Sequence, residues 1–137
     1  MHFQININSI CLVSMLLFFT ALSAQTTDSL KLYNKEGYAS YYANKFNGRI
    51  TTGGERFSNN KLTAAHRTLP FGTLVKVTNM QTKKWVILKI NDRGPRSRKR
   101  IIDVSRRAAK HLGMLNGKGI VWVRVEELPA QVESSKK

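Results

Sequence analysis

Apolar residues recur at every second position through much of the middle of the chain, the period of a half-buried β-strand. Leu74-Val75-Lys76-Val77-Thr78 alternates in this way, and Trp85-Val86-Ile87-Leu88-Lys89-Ile90 does so more loosely. Between them, Asn79-Met80-Gln81-Thr82-Lys83 has the length of a hairpin loop. Tyr38 to Tyr42, Ile101 to Val104 and Ile120 to Val125 are further strand candidates, and Leu62 to Ala65 is a short sixth. One stretch, Arg106 to Leu112, reads as a helix. Ser105 is suited to cap its start, and Gly113 to the left-handed turn that closes a helix. About six short strands and one short helix in roughly ninety residues predict a mainly β fold, a small closed barrel.

The flanks read differently. The first 24 residues contain no Lys, Arg, Asp or Glu, and Ile10 to Ala21 is almost wholly apolar. About a dozen apolar residues are too few to span a bilayer. With the small-residue patch at Ala21-Leu22-Ser23-Ala24, they predict a secretory signal peptide over residues 1–24. Residues 25–35 are read as a linker, 36–128 as one compact domain and 129–137 as a polar tail. The sole cysteine, Cys11, follows Ile10 where a lipidation signal would place a small residue, so no lipid anchor is expected. The predicted location is export, to the periplasm or cell envelope, as a monomer.

Charge narrows the partners. The chain carries 23 Lys and Arg against 8 Asp and Glu, a formal +15. All of these charges follow Ala24, so the exported chain would be drawn to polyanions. Outside the cytosol those are anionic envelope polymers, and with no nucleic-acid motif present nucleic acid is not an expected partner. No His or Cys pair has metal-ligand spacing, so neither a metal nor a cofactor is expected. The aromatic residues Tyr38, Tyr41, Tyr42, Trp85 and Trp122 are candidates for the core or for a sugar-stacking surface.

Three turn-rich segments hold the candidate chemistry. Glu55 ends the loop Thr51-Thr52-Gly53-Gly54-Glu55, where glycines let a ligand approach the backbone. It is either an acid–base group or a solvated glutamate. His66 precedes the turn Arg67-Thr68-Leu69-Pro70-Phe71-Gly72 and is either a structural histidine or a group that orients a carboxylate or sugar hydroxyl. Asp92 lies in Asn91-Asp92-Arg93-Gly94-Pro95 at the end of the most apolar strand. It either caps that turn or is a partly buried acid whose pKa burial has raised toward neutrality, against the pull of Arg93. Asp103, ahead of the helix, is a fourth carboxylate with a more structural setting.

Taken together, Gly37 to Tyr42, Thr52 to Phe57, Thr63 to Gly72, Val86 to Pro95 and Arg100 to Ser105 resemble, in that order, the rare lipoprotein A family. These are septal-ring lytic transglycosylases built on a six-stranded double-psi β-barrel, a fold similar to that of expansins. The resemblance implies non-hydrolytic cleavage of the β-1,4 bond between N-acetylmuramic acid and N-acetylglucosamine in peptidoglycan glycan strands. Strands lacking stem peptides would be preferred, and the products would carry anhydro-muramic ends. It implies Asp92, Glu55 and His66 as catalytic residues: Asp92 as acid/base with Asp103 a second candidate, Glu55 as stabiliser of developing positive charge or as a group that orients the sugar, and His66 holding the carboxylates. Tyr41, Arg93 and Asp103 are weaker substrate-binding candidates. A non-catalytic, expansin-like module that binds or loosens wall glycan is the competing expectation.

Overall fold

The computed structural model describes residues 31–130. The expected signal peptide, Cys11 and most of the polar tail lie outside the described residues. Strands β1 (Asn34–Tyr41), β2 (Thr63–Ala65), β3 (Leu74–Asn79), β4 (Trp85–Asp92), β5 (Arg100–Val104) and β6 (Val121–Glu127) close into a barrel in the order β1-β5-β2-β4-β3-β6. β1 runs parallel to β5 and β2 parallel to β4, and the remaining neighbours are antiparallel. Closure leaves no sheet edge, so every strand can send one face inward.

The alternation read from the sequence sets that inward face. Val75 and Val77 of β3, Leu88 and Ile90 of β4, and Val123 and Val125 of β6 are fully buried, with Ile102 and Val104 of β5 beside them. β2 departs from the pattern because all three of its residues are buried. It is flanked by β4 and β5, and its residues Thr63, Ala64 and Ala65 are all small. Helix α1 (Arg106–His111) packs Ala108 and Ala109 against the barrel. The Ser105 hydroxyl accepts from Ala108 N–H, and Gly113 adopts φ +71 after the last turn, both as expected.

The hairpin between β3 and β4 is tied to this helix. Asn79, 2% exposed, donates through its side-chain amide to the Leu112 carbonyl at 2.9 Å, while its carbonyl oxygen accepts from Gln81 N–H at 2.9 Å. At the other end β1 starts earlier than the sequence suggested. Asn34 and Lys35 lie in the stretch read as linker, yet they pair with Glu126 and Val125 of β6. Backbone pairing needs no apolar side chain, which is why their polarity hid the strand.

Candidate active site

The end of β4 and the middle of β5 lie on either side of one residue. Ala65 of β2 pairs with Asp92 on one flank and with Asp103 on the other. Two strand spacings of about 4.8 Å therefore separate the two acidic positions. Both carboxylates line a cleft of about 650 Å³ shared with Ser40, Tyr41, Tyr42, Thr52, Arg93 and Arg100. Its remaining cations are Arg49 and Arg96.

Asp92 is held by donors on every side. Tyr42 donates its hydroxyl to Oδ2 at 2.7 Å, and the amides of Thr52 and Arg93 donate to Oδ1 at 2.9 Å each. Burial acts to raise its pKa, but these hydrogen bonds favour the carboxylate more strongly and bring the pKa below the ordinary Asp value. The upward shift that one of the two sequence readings of Asp92 requires is therefore not found. The opposing force is the ring of donors rather than the charge of Arg93, and Asp92 is ionised at neutral pH. Burial, together with the same bond, pushes the Tyr42 phenol far up, so Tyr42 serves as a fixed donor.

Asp103 accepts from the Ser40 hydroxyl at 2.6 Å and pairs with the Arg100 guanidinium at 3.1 Å, which also reaches Ser40. Arg93 faces the other way: its guanidinium donates to the carbonyls of His66 and Leu69 and lies 3.8 Å over the Phe71 ring. Tyr41 and Tyr42 both line the cleft, because the strand ends between them and the alternation of faces stops there.

Glu55 and His66 are neighbours of this cleft, and neither is among its lining residues. Glu55 accepts from Lys89 Nζ at 2.7 Å and from the Asn91 side chain at 3.2 Å, which lowers its pKa. These bonds fasten the loop that carries Thr52 onto β4. The loop approaches closely: Gly53 N–H donates to the Asn91 carbonyl, and a Cβ on Gly53 would stand 2.5 Å from that oxygen. Gly53→Ala is therefore expected to lift the loop at a cost of about 2 kcal/mol. That corresponds to a melting point lower by about 10 °C, read by calorimetry.

The His66 ring turns into its own loop. Its Nδ1 accepts from the amides of Thr68 and Leu69, at 3.2 and 3.0 Å, while its backbone N–H donates to the Asp92 carbonyl at 3.1 Å. His66 thus reaches Asp92 through the main chain, and its ring packs edge-on against Tyr33. Burial, with Arg67 and Arg93 nearby, lowers its pKa to about 4. A depressed histidine contributes stability that is complete above about pH 6.5 and fades as pH falls toward 4. Thermal unfolding should show a loss of about 2 to 3 kcal/mol between pH 7 and pH 4.5. His66→Asn retains an acceptor for the turn amides and should remove most of that dependence.

Tyr42 enters the sequence reading only as an aromatic candidate for the core or a stacking surface, and Ser40, Thr52 and Arg100 are not among its site residues. Thr52 and Arg100 each stand three residues before a candidate carboxylate, Glu55 and Asp103, whereas nothing in the sequence links Ser40 or Tyr42 to one.

With this geometry in place, the similarities to known proteins are specific. Residues 34–125 match the family model described as lytic transglycolase. The chain is 51% identical over 106 residues to the endolytic peptidoglycan transglycosylase RlpA of Rickettsia typhi, covering 75% of this chain and 33% of that protein. It is 48% identical over 102 residues to the Pasteurella multocida protein of the same name, covering 74% and 34%. It thus spans about a third of the length of these relatives. Two solved structures share the fold. A Streptomyces papain inhibitor has TM-score 0.57 and 19% identity, with 71% of this chain and 96% of that one covered. The expansin of Clavibacter michiganensis has TM-score 0.56 and 20% identity, with 72% and 52% covered. The chain therefore belongs to the RlpA family of lytic transglycolases and carries its double-psi β-barrel.

Proposed function

We propose that this domain is a peptidoglycan lytic transglycosylase of the cell envelope, with Asp92 as its acid/base. The observation that carries the reading is Asp92 itself: a carboxylate in an open, arginine-lined cleft, fixed by Tyr42, Thr52 and Arg93. Hydrolytic glycosidases use two carboxyl groups because one must activate or replace water. Here the 6-hydroxyl of the muramic acid ring is the nucleophile, so one group suffices. Protonated Asp92 donates to the glycosidic oxygen as the bond to the anomeric carbon breaks. The resulting carboxylate accepts the proton of the 6-hydroxyl as that oxygen closes on the anomeric carbon, leaving an anhydro end and regenerating the acid.

Asp103, held by Arg100 and Ser40, supplies a second negative charge facing the oxocarbenium-like transition state. In this reading Glu55 and His66 are positioning residues: Glu55 pins the loop that brings Thr52 N–H to Asp92, and His66 sets the backbone beneath it.

The cleft also supports a preference for strands without stem peptides. Removing a stem peptide from muramic acid exposes a lactyl carboxylate, and Arg49, Arg96 and Arg100 line the cleft where such groups would pass. Cleavage of denuded strands should exceed that of peptide-bearing strands of equal length. The excess should shrink as salt screens the arginines, and equal rates on both substrates at low salt would remove the preference.

A further inference from the structure

A second concave surface lies outside the barrel, and the chemistry above does not use it. Glu36, Gly37, Tyr38, Lys99, Ile101 and Trp122 are among the residues of a mostly apolar groove of about 760 Å³. Tyr38 and Trp122 are 46% and 45% exposed on paired strands, so two large aromatic side chains stand together in one patch. Their rings meet edge to face at 4.9 Å, so the pair offers ring faces to solvent at two orientations. The indole is not left to rotate: its Nε1 donates to Glu36 Oε2 at 3.1 Å, and Arg124 clamps the same carboxylate at 2.6 Å.

The register connects this surface to the cleft. Tyr38 of β1 pairs with Trp122 of β6 on one side and with Arg100 of β5 on the other. Trp122 and Tyr38 are directly paired and share one face, and Arg100, which partners Tyr38 beside a register shift between β1 and β5, lines the same groove. Arg100 lines both hollows, and its guanidinium pairs with Asp103 in the cleft. A ligand lying along the groove would reach Arg100, which the groove and the cleft share.

We propose that Trp122 and Tyr38 form a stacking subsite for a further part of the glycan strand, outside the cleavage site and continuous with it through Arg100. The occupant fits the surface. Sugar rings of a β-linked strand present C–H faces to aromatic rings, and free lactyl carboxylates along a denuded strand meet Lys99 and Arg100. This inference rests on the glycan reading of the cleft, and binding tests it separately from turnover.

The sequence contains two tryptophans, Trp85 and Trp122, so Trp85→Phe makes Trp122 the only indole. In an Asp92→Asn, Trp85→Phe protein titrated with denuded glycan strands, Trp122 emission should shift to the blue and saturate. In a parallel Asp92→Asn protein, Trp122→Ala should weaken retention on denuded strands about tenfold, a loss of about 1.4 kcal/mol. The fluorescence arm leaves Trp122 in place and so does not depend on how that variant folds. Strands that bind without moving the emission, or retention unchanged in Trp122→Ala, would overturn the subsite. A shift that grows with protein concentration in the absence of glycan would give the groove to a second copy of the chain and also overturn it. If the platform responds while the wild-type protein leaves strands intact, the subsite stands and the catalytic reading falls.

Discussion

Asp92→Asn should lower cleavage of denuded glycan by about a thousandfold while leaving the barrel folded. Asn preserves the shape of the side chain and can keep its oxygen toward the amides of Thr52 and Arg93, so the turn after β4 retains its geometry. What it removes is the proton, and with it both halves of the acid/base cycle. General acid–base groups are commonly worth factors of about a hundred to ten thousand, and here one group performs both transfers. Asp103→Asn serves as the comparison. Its carboxylate is committed to Arg100 and Ser40, so a smaller loss, of about tenfold, is expected from weakened charge stabilisation. Equal losses in the two variants would mean that the cleft divides the acid/base work between the carboxyl groups. Rates on defined strands, with circular dichroism to check folding, separate these cases.

The second large effect concerns pH. Donors bring the Asp92 pKa below its ordinary 3.8, so at neutral pH the proton the reaction needs is present in only a small fraction of molecules. The specificity constant kcat/KM reports the ionisation of the free enzyme, so it should follow that fraction. It is expected to rise about tenfold per pH unit as pH falls, or about a hundredfold between pH 7 and pH 5. Stability sets the lower bound. The charged form of Asp92 contributes stability that is present above its unfolded pKa and is lost only as pH falls through the lowered folded value. That window lies below pH 4, whereas the contribution of neutral His66 is already declining at pH 5. Assays near 25 °C over pH 5 to 7, with unfolding followed in parallel, keep the two apart. A profile that is flat, or that falls below pH 7, would show that Asp92 does not begin the cycle protonated.

Much of the barrel is legible in the sequence because strands such as β3 and β6 obey a period of two that local composition records directly. The start of β1 is not, since Asn34 and Lys35 gain their partners from β6, about ninety residues away, and carry no apolar mark. The helix is legible at both ends because its cap and its glycine are local devices. The site divides in the same way. Asp92 stands out as an acid at a strand end before Gly94-Pro95, and Glu55 and His66 stand out by their turns. That Asp92 and Asp103 share a cleft follows only from their common partner Ala65 in β2. The sign of the Asp92 shift was equally hidden, because two of its donors, Tyr42 and Thr52, lie 50 and 40 residues from it in the chain. His66 was expected to hold the carboxylates, and its route to Asp92 is through a backbone bond that no side-chain pattern encodes.

The central claim is that this cleft breaks glycan strands by internal attack, without water. Digestion of denuded strands by the wild-type protein in water enriched in heavy oxygen, followed by mass spectrometry, tests it most directly. The expected products end in anhydro-muramic acid, one water lighter than hydrolytic fragments, and carry no heavy oxygen at the new end. Fragments with labelled reducing ends, or strands that bind and remain whole, would contradict it.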